Sequence, residues 1–420
     1  MSKLHLFETI GDKIDNYSSI KSHHGSHHLP LEQIDNVIHE SVQEFYLSSK
    51  NNIPSYPFGG TSSSQYLDFY LDQIPYTYHQ FLLKFSLTNT GTDDIRYILS
   101  PLIVDKVQIL KDGNTLGFDT VDQDILLYNL NKINTEYKNE DYSQMFIYND
   151  ATYLMSNMIT KGLTYTHLFE LPIPLNRSYL LSSSIKNNLV VRVYFKSSVC
   201  SIGSESNLKL SNVNLILRCR ENSNKINNHL VNQPRVDHLF TKKLLNKYSI
   251  NSLNANQQYN IKLNGFNHVA SLALVYISYP SYNVNKIATE NNDWSNPTFK
   301  IDDVFITDSS GKNINNNIKN TVKYNKYLLQ DTFKGFSRSL RKLSQSGDYS
   351  GEIFLLNFSG ESSDAYNAPF SGGYLFGDGN EYTLNFTSLM SSNKSMELNI
   401  LWFIPAILSL NNGDLTEVIG

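Results

Sequence analysis

The chain has 420 residues, of which 40% are hydrophobic and 12% aromatic, and a formal net charge of −4. Its length accommodates two or three domains with sizeable cores. The charge balance argues against a protein that coats nucleic acid by neutralising phosphates, and the 2 cysteines exclude a disulfide scaffold or a zinc ribbon.

The N-terminus lacks the features of a secretory signal, because it has no apolar run and already carries an acid at Glu8. The longest apolar run, residues 398–410, is too short to cross a bilayer and is interrupted by Asn399, Pro405 and Ser409. We expect this run to form a buried strand followed by a turn. The protein is therefore predicted to be made and folded in a cytoplasm.

Residues 1–58 differ from the rest and are predicted to form an N-terminal arm. Within them, residues 31–42 carry apolar side chains at helical spacing, and Pro30 suits the first turn of a helix. We expect one amphipathic helix here, serving a contact between subunits or next to a membrane.

Four histidines in this arm form a compact set of potential metal ligands. His23, His24, His27 and His28 include two pairs spaced i and i+4, and imidazole suits zinc, nickel or copper. The segment contains no Asp, Glu or Cys, and Gly25 interrupts it. We therefore expect an arm whose charge changes near a pH of about 6, and no metal site.

The remaining chain reads as successive short strands with turn signals between them. Residues 66–71, 81–89, 102–110 and 125–128 are strand-like, and Asp112-Gly113 is a hairpin signal. A helical or irregular insertion is expected at 131–162. We place a first barrel at 59–220, a polar linker at 221–247, a second barrel at 248–411 and a C-terminal tail at 412–420.

Three segments recur in the same order in the two halves. Residues 81–85 match 272–276, and residues 104–109 match 301–306 with an aspartate at the same point, Asp105 and Asp302. Residues 189–195 match 396–403. Three matches at separations of roughly 190 to 210 residues predict two related domains. About eight strands per half without regular helices between them indicate an all-β chain of antiparallel sandwiches or jelly rolls.

The most distinctive stretch is residues 168–182, which ends a strand at the Leu-Pro-Ile-Pro turn Leu171–Pro174 and leads to the alternating strand 189–195. It resembles the first-barrel region of double jelly-roll major capsid proteins of tailless icosahedral viruses, the tectivirus and adenovirus-like lineage. The chain departs from that pattern at Leu175, where an aromatic residue is usual. It departs again at 180–182, where Leu-Leu-Ser replaces a second proline-containing piece.

The resemblance implies two tandem eight-stranded antiparallel jelly-roll barrels with an N-terminal arm and small helical insertions. It implies a homotrimer with a pseudo-hexagonal outline that contacts neighbouring capsid trimers, penton proteins and other minor capsid proteins. The arm would face the interior, where it would meet an internal viral membrane. The implied location is the virion capsid, assembled in the host cytoplasm, without sequence-specific binding of nucleic acid.

Other candidate sites have simpler structural explanations. We interpret Asp105 and Asp302 as solvent-side or turn-capping carboxylates retained from a duplication. The Gly-rich residues 371–373 and 377–381 lack the lysine and following helix of a phosphate loop, so a hairpin turn is expected there. A calcium site from Asp378, Asn380 and Glu381 is the alternative.

The cysteines and the basic clusters are also expected to be structural. Cys200 and Cys219 lie near strand ends and are expected to be packed thiols. Two basic clusters are expected to be solvated surface or linker charge; they are Lys242, Lys243 and Lys247, and Arg338, Arg341 and Lys342.

No catalytic, cofactor-binding or metal-binding residue is assigned, and the chain is not expected to be an enzyme. The first alternative is a viral spike or another glycan- or receptor-binding β-sandwich protein, which Tyr-rich loops would suit equally well. The second is a glycoside hydrolase, which would need two carboxylates that face each other in a cleft. The sparse charges show no such pairing in the sequence.

Overall fold

The computed structural model describes residues 42–49, 66–129, 156–278, 301–314, 321–328, 353–359 and 373–419, with short gaps inside these ranges. The first half contains a four-residue helix, Ser100–Ile103, and 3₁₀ turns at Ser182–Ser184 and Glu205–Asn207. Its strands are β1 (Val42–Ser48), β2 (Tyr66–Leu71), β3 (Tyr76–Asn89), β4 (Ile95–Ile98), β5 (Val104–Lys111), β6 (Asn114–Val121), β7 (Ser156–Ile159), β8 (Thr164–Glu170), β9 (Leu189–Phe195), β10 (Cys200–Ile202) and β11 (Leu208–Glu221).

The second half is also built mainly of strands. Its strands are β12 (Arg235–Ile250), β13 (Gln258–Leu263), β14 (Val269–Ala270), β15 (Leu272–Ser278), β16 (Ile301–Thr307), β17 (Ile353–Asn357), β18 (Tyr374–Leu375), β19 (Tyr382–Ser388), β20 (Met396–Asn411) and β21 (Asp414–Ile419). No helix among the described residues has the length and apolar character needed to span a membrane.

The first half folds into two antiparallel four-stranded sheets with the orders β1-β11-β3-β8 and β2-β9-β5-β6. If the small sheet β10-β4-β7 is set aside, the first, eighth, third and sixth strands form one sheet. The second, seventh, fourth and fifth strands form the other. This alternation of successive strands between two sheets is the arrangement of an eight-stranded jelly roll.

The second half repeats that order. Its sheets are β12-β20-β15-β17 and β13-β19-β16, and β21 adds to the first of them beside β20. The first, eighth, third and sixth positions are again together, as are the second, seventh and fourth. The fifth position falls between β16 and β17, where few residues are described. The expectation of an all-β chain with two jelly rolls in tandem is confirmed.

Two of the three sequence matches between the halves are correct and one is wrong. β3 and β15 are both third strands, and β5 and β16 are both fourth strands. However, β9 is a seventh strand whereas β20 is an eighth, so residues 189–195 correspond to β19 and not to 396–403. Alternating apolar residues occur on every half-buried strand, so the pattern alone cannot distinguish neighbouring strands.

A buried asparagine marks the repeat more specifically. The Oδ1 atom of Asn129 accepts a hydrogen bond from the backbone N–H of Glu170 on β8, at 2.9 Å. The Oδ1 atom of Asn325 accepts one from the N–H of Leu355 on β17, at 2.8 Å. Both strands are sixth strands, and both asparagines are at most 5% exposed. A tyrosine precedes each of them, but Tyr-Asn occurs at four other places in the chain, so the shared hydrogen bond and not the dipeptide marks the repeat.

The structure places strands in four regions that were assigned to other structure. β1 lies in the predicted arm, β7 lies in the predicted helical or irregular insertion at 131–162, most of β12 lies in the predicted linker, and β21 lies in the predicted tail. β21 follows a tight hairpin at Asn412 and Gly413, whose φ angles of 50° and 89° parallel those of the predicted turn at Asp112 and Gly113. The lysines at 242, 243 and 247 interrupt the apolar alternation of β12, whereas the dipeptide Asn412-Gly413 is itself a hairpin signal.

One further local prediction is wrong, and two others fall mainly on residues outside the described ranges. Residues 124, 125, 128 and 129 are helical, so the short strand predicted at 125–128 is wrong. The apolar face of one helical turn and a short buried strand look alike over four residues. The amphipathic helix predicted at 31–42 and most of the insertion predicted at 131–162 lie outside the described residues.

The buried asparagine gives a test of the fold. Asn325→Ala removes the acceptor for the N–H of Leu355, and we expect the free energy of unfolding to fall by about 1–3 kcal/mol. Asn393→Ala, at an exposed position in the same barrel, should change it by less than about 0.5 kcal/mol. Urea unfolding measures both, and equal stability of the two variants would contradict the assignment.

Candidate functional site at the seam between the barrels

The sheet β12-β20-β15-β17 has apolar side chains on both faces. On β20, Leu398, Ile400 and Trp402 point into the core of the second barrel, whereas Leu401 and Phe403 join the core of the first barrel. β15 alternates in the same way, with Val275 on the inner side. We call the contact between the outer face of this sheet and the first barrel the seam. Its other apolar residues from the second half are Leu272, Leu274, Tyr276, Leu355, Leu408, Leu410 and Leu415.

Burial of both faces explains the apolar run noted in the sequence. A strand with one wet face alternates between apolar and polar residues, whereas a strand covered on both sides is almost continuously apolar. Every residue of β20 from Leu398 to Leu410 is buried. The run was correctly predicted as a buried strand, but it continues to Asn411 before the chain turns.

The hairpin of β20 and β21 is fastened to the first barrel by hydrogen bonds. Asp414 accepts from Lys111 Nζ at 2.7 Å and from Asn187 Nδ2 at 3.1 Å. The N–H of Leu415 donates to Asn187 Oδ1 at 2.8 Å, and the N–H of Lys186 donates to the carbonyl of Gly413 at 2.8 Å. The C-terminal segment is therefore part of the seam.

Ion pairs are buried within the seam. Lys243 of β12 lies 3.7 Å from Asp124 of the first barrel, and their side chains are 9% and 2% exposed. Burial lowers the pKa of Lys243, and the charge of Asp124 opposes that shift. In the first barrel, Lys196 lies 2.5 Å from Asp122. A lysine thus faces each of these two carboxylates.

These contacts correct the expectation that the first basic cluster is solvated surface charge. Lys242 is 6% exposed and lies 3.4 Å from Glu417 of β21. Lys243 is buried against Asp124, and only Lys247 is largely exposed, at 53%, with Glu397 at 3.4 Å. The sequence of the predicted linker does not show that Glu417 of β21 lies next to Lys242, or that Asp124 of the first barrel lies next to Lys243.

A tyrosine and a histidine complete the polar part of the seam. Burial raises the pKa of Tyr276, and the negative charges of Asp122 and Glu397 add to that shift. His238 of β12 hydrogen-bonds to the backbone of Pro174 in the first barrel. Burial lowers its pKa from 6.5 to about 4, against the effect of that hydrogen bond. Both rings are therefore neutral at pH 7, as suits a tightly packed contact.

The two recurring aspartates lie at β-bulges and not together in one site. The register of β5 against β9 shifts between Val104 and Lys106, which places Asp105 at the bulge. The register of β16 against β19 shifts between Asp302 and Phe305. Asp302 accepts a hydrogen bond from the N–H of Asp303 at 2.9 Å. In β16 Asp302 itself still pairs with Thr387 and the bulge follows it, so each aspartate lies at or beside a bulge of the fourth strand, which agrees with a structural role.

The Gly-rich segment is not a hairpin turn, contrary to expectation. β18 pairs with β14 whereas β19 pairs with β13 and β16, so the segment around Gly377 joins strands of different sheets. Of the proposed calcium ligands, Glu381 lies 3.0 Å from Lys262, and Asp378 lies outside the described residues. No group of three potential metal ligands occurs in the part of the chain that the structure describes.

The cysteines remain buried thiols, and burial raises the pKa of Cys219 to about 12. The histidines at 23–28 and the second basic cluster, at 338–342, lie outside the described residues.

Comparison with known proteins gives similarity at the level of fold. No family model matches the chain, and no curated protein matches it. A quasi-atomic model of the PBCV-1 virus capsid matches with a TM-score of 0.65 and 12% identity, over 90% of this chain and 96% of that chain. The Sputnik virophage, determined by cryo-EM, matches with a TM-score of 0.58 and 11% identity, over 91% and 89% of the two chains.

A third solved structure extends the similarity. The STIV MCP matches with a TM-score of 0.52 and 10% identity, over 86% of this chain and 96% of that chain. Each match covers both jelly rolls, so the tandem arrangement itself is shared. These TM-scores establish a common fold, and at identities this low they establish nothing beyond the fold.

The seam ion pair gives a second test. Lys243→Met leaves Asp124 buried without its lysine, and we expect a loss of about 3–5 kcal/mol in the free energy of unfolding. Lys247→Met, at the exposed neighbouring pair, should cost less than about 1 kcal/mol. The double variant Lys243→Met/Asp124→Leu should recover most of the loss. Urea unfolding would refute a buried ion pair if Lys243→Met and Lys247→Met were equivalent.

The histidine predicts how stability depends on pH. The unfolded chain takes up a proton on His238 below pH 6.5, whereas the folded chain resists protonation until about pH 4. Stability is therefore lost as the pH falls through this window, by on the order of 2 kcal/mol from this group. His238→Gln should flatten the dependence, measured by urea unfolding between pH 4 and 7. An unchanged slope would show that other groups cause it.

Proposed function

We propose that this chain is a major capsid protein, which forms pseudo-hexameric trimers that tile an icosahedral shell. The observation that carries this proposal is the pair of jelly rolls with the same strand order, joined by an apolar seam into one body. The same tandem is found over 90% of this chain in the quasi-atomic model of the PBCV-1 virus capsid.

The physical reason is one of shape. Three copies of a two-barrel chain contain six similar barrels, so a closed ring of three has a nearly hexagonal outline. Hexagonal units cover a surface without gaps. The threefold symmetry of such a ring needs only three identical contacts between chains. A rigid seam inside each chain keeps the six barrels in register.

The finer assignments rest on the resemblance and on the distribution of charge. We infer contacts with neighbouring trimers, penton proteins and other minor capsid proteins, and a location in the virion capsid after assembly in the host cytoplasm. The arm before β1 is assigned to the interior side, where it would meet an internal viral membrane. The role is structural and not enzymatic: Asp122 is paired with Lys196 inside the first barrel, and Asp124 is paired with Lys243 across the seam, where the pair joins the two barrels.

The test is the native mass of the purified chain, measured by light scattering with electron micrographs of the same sample. We expect a mass near three times 47.9 kDa and particles of hexagonal outline, or closed shells. A monomer under all conditions of salt and pH would overturn the proposal. A monomer that binds glycans would favour the alternative of a receptor-binding β-sandwich protein.

A further inference from the structure

The first barrel holds a lysine and a carboxylate in a contact that is closer than an ordinary ion pair. Nζ of Lys196 lies 2.5 Å from Oδ2 of Asp122, whereas charged hydrogen bonds of this kind are usually about 2.7–2.9 Å long. Their side chains are only 11% and 13% exposed. In the same sheet, Lys106 and Asp119 form a looser pair at 3.1 Å, with side chains that are 32% and 38% exposed. Lys196 and Asp122 are therefore held together and kept from most of the water.

A second carboxylate lies on the strand between them. Lys196 directly follows β9 and Asp122 directly follows β6, and both of these strands pair with β5. Asp105 lies at the bulge of β5, next to Lys106, which pairs with Val121 of β6. Partial removal from water raises the pKa of Asp105; the charge of Lys196 opposes that shift, and the charge of Asp122 adds to it. Asp105 is therefore a carboxyl group that acts on both members of the pair and retains its proton more readily than usual.

The equivalent place in the second barrel lacks the lysine. In both barrels the last residue of the seventh strand pairs with the first residue of the fourth strand. The next residue of the fourth strand is an aspartate in each, Asp105 and Asp302. The residue after the seventh strand is Lys196 in the first barrel but Leu389 in the second, where it is 40% exposed. The aspartate therefore belongs to the repeated structure, whereas its combination with a lysine at this place belongs to the first barrel.

We propose that Lys196 and Asp122 become joined by an amide bond, which forms without an enzyme once the first barrel has folded. A proton first passes from the ammonium group to the carboxylate, which leaves an amine and a carboxylic acid; burial favours such uncharged groups. Nζ of Lys196 then attacks Cγ of Asp122, so that a C–N bond forms while a C–O bond breaks and the oxygen leaves as water. Asp105 gives a proton to the leaving oxygen and takes one from the nitrogen, so it ends as it began. Asp105 is exposed, which gives the water a way out.

The fold supplies what this reaction needs. In free solution, water reverses the condensation of an amine with a carboxylic acid. Groups held in contact react instead at effective concentrations of roughly 10⁵–10⁸ M. Lys196 and Asp122 are 74 positions apart in the sequence and meet because β6 and β9 both pair with β5. The bond would close a loop of that length and would constrain the unfolded chain as a disulfide does. This inference goes beyond the proposed function, since it concerns a single chain.

Mass spectrometry of the full chain tests the bond. The denatured wild-type chain should be lighter than its sequence by one water molecule, and digestion should release a branched peptide that joins the segments of Lys196 and Asp122. Lys196→Arg keeps the positive charge, but a guanidinium group does not form this amide, so the variant should have the full sequence mass. Asp105→Asn should leave most chains at the full mass, because the proton relay is lost. Lys106→Arg is the matched control in the same sheet and should still lose the water.

The branched peptide is sought in the wild-type chain, so the decision does not depend on whether a variant folds. A wild-type chain of full sequence mass without that peptide would overturn the proposal. Ring closure at Asp112-Gly113 also releases water, but that loss would persist in Lys196→Arg and would give no branched peptide. A water loss of this kind would therefore count against the cross-link. A branched peptide that forms equally well in Asp105→Asn would refute the part assigned to Asp105.

Discussion

The burial of one sheet on both faces is the constraint on which the rest of the structure depends. The sheet β12-β20-β15-β17 closes the core of the second barrel and also joins the core of the first. Each large apolar side chain removed from water contributes about 1.5–3 kcal/mol. Separation of the barrels would expose Phe403, Leu401 and their neighbours together. The two jelly rolls therefore form one folding unit, although each has its own set of strands.

The duplication is preserved in topology more than in sequence. Both halves order their strands in the same way, and both use a buried asparagine to bond the sixth strand. The outer faces of the equivalent sheets differ: that of the second barrel is apolar and packs on the first barrel, whereas that of the first barrel is polar, with Tyr46 exposed and with Gln80 and Glu170 buried.

Sequence patterns predicted the fold class because strand periodicity and turn chemistry are local properties. The alternation of β5 and β16 and the turn at Asp112-Gly113 were sufficient to identify two β domains. The burial of Lys243 was not predictable in this way, because it depends on Asp124, far away in the chain. The dipeptide Asn412-Gly413 is a local turn signal for the last hairpin, whereas Tyr-Asn occurs six times in the chain and so does not identify the equivalent asparagines by itself. The alternation of apolar and polar residues shows which face of a strand is buried, but it does not show which part of the chain covers that face.

The charges at the seam have a different role from its apolar surface. Apolar burial is strong but not directional, so it would allow the barrels to slide or rotate against each other. A buried ion pair contributes little net stability because desolvation offsets the attraction, but it penalises every arrangement in which the charges do not meet. Lys243 with Asp124, and the hydrogen bonds of Asp414 and Asn187, therefore fix the orientation of the barrels. A fixed orientation is what the proposed ring of six barrels from three chains would require, since any error in the seam would be repeated three times around it.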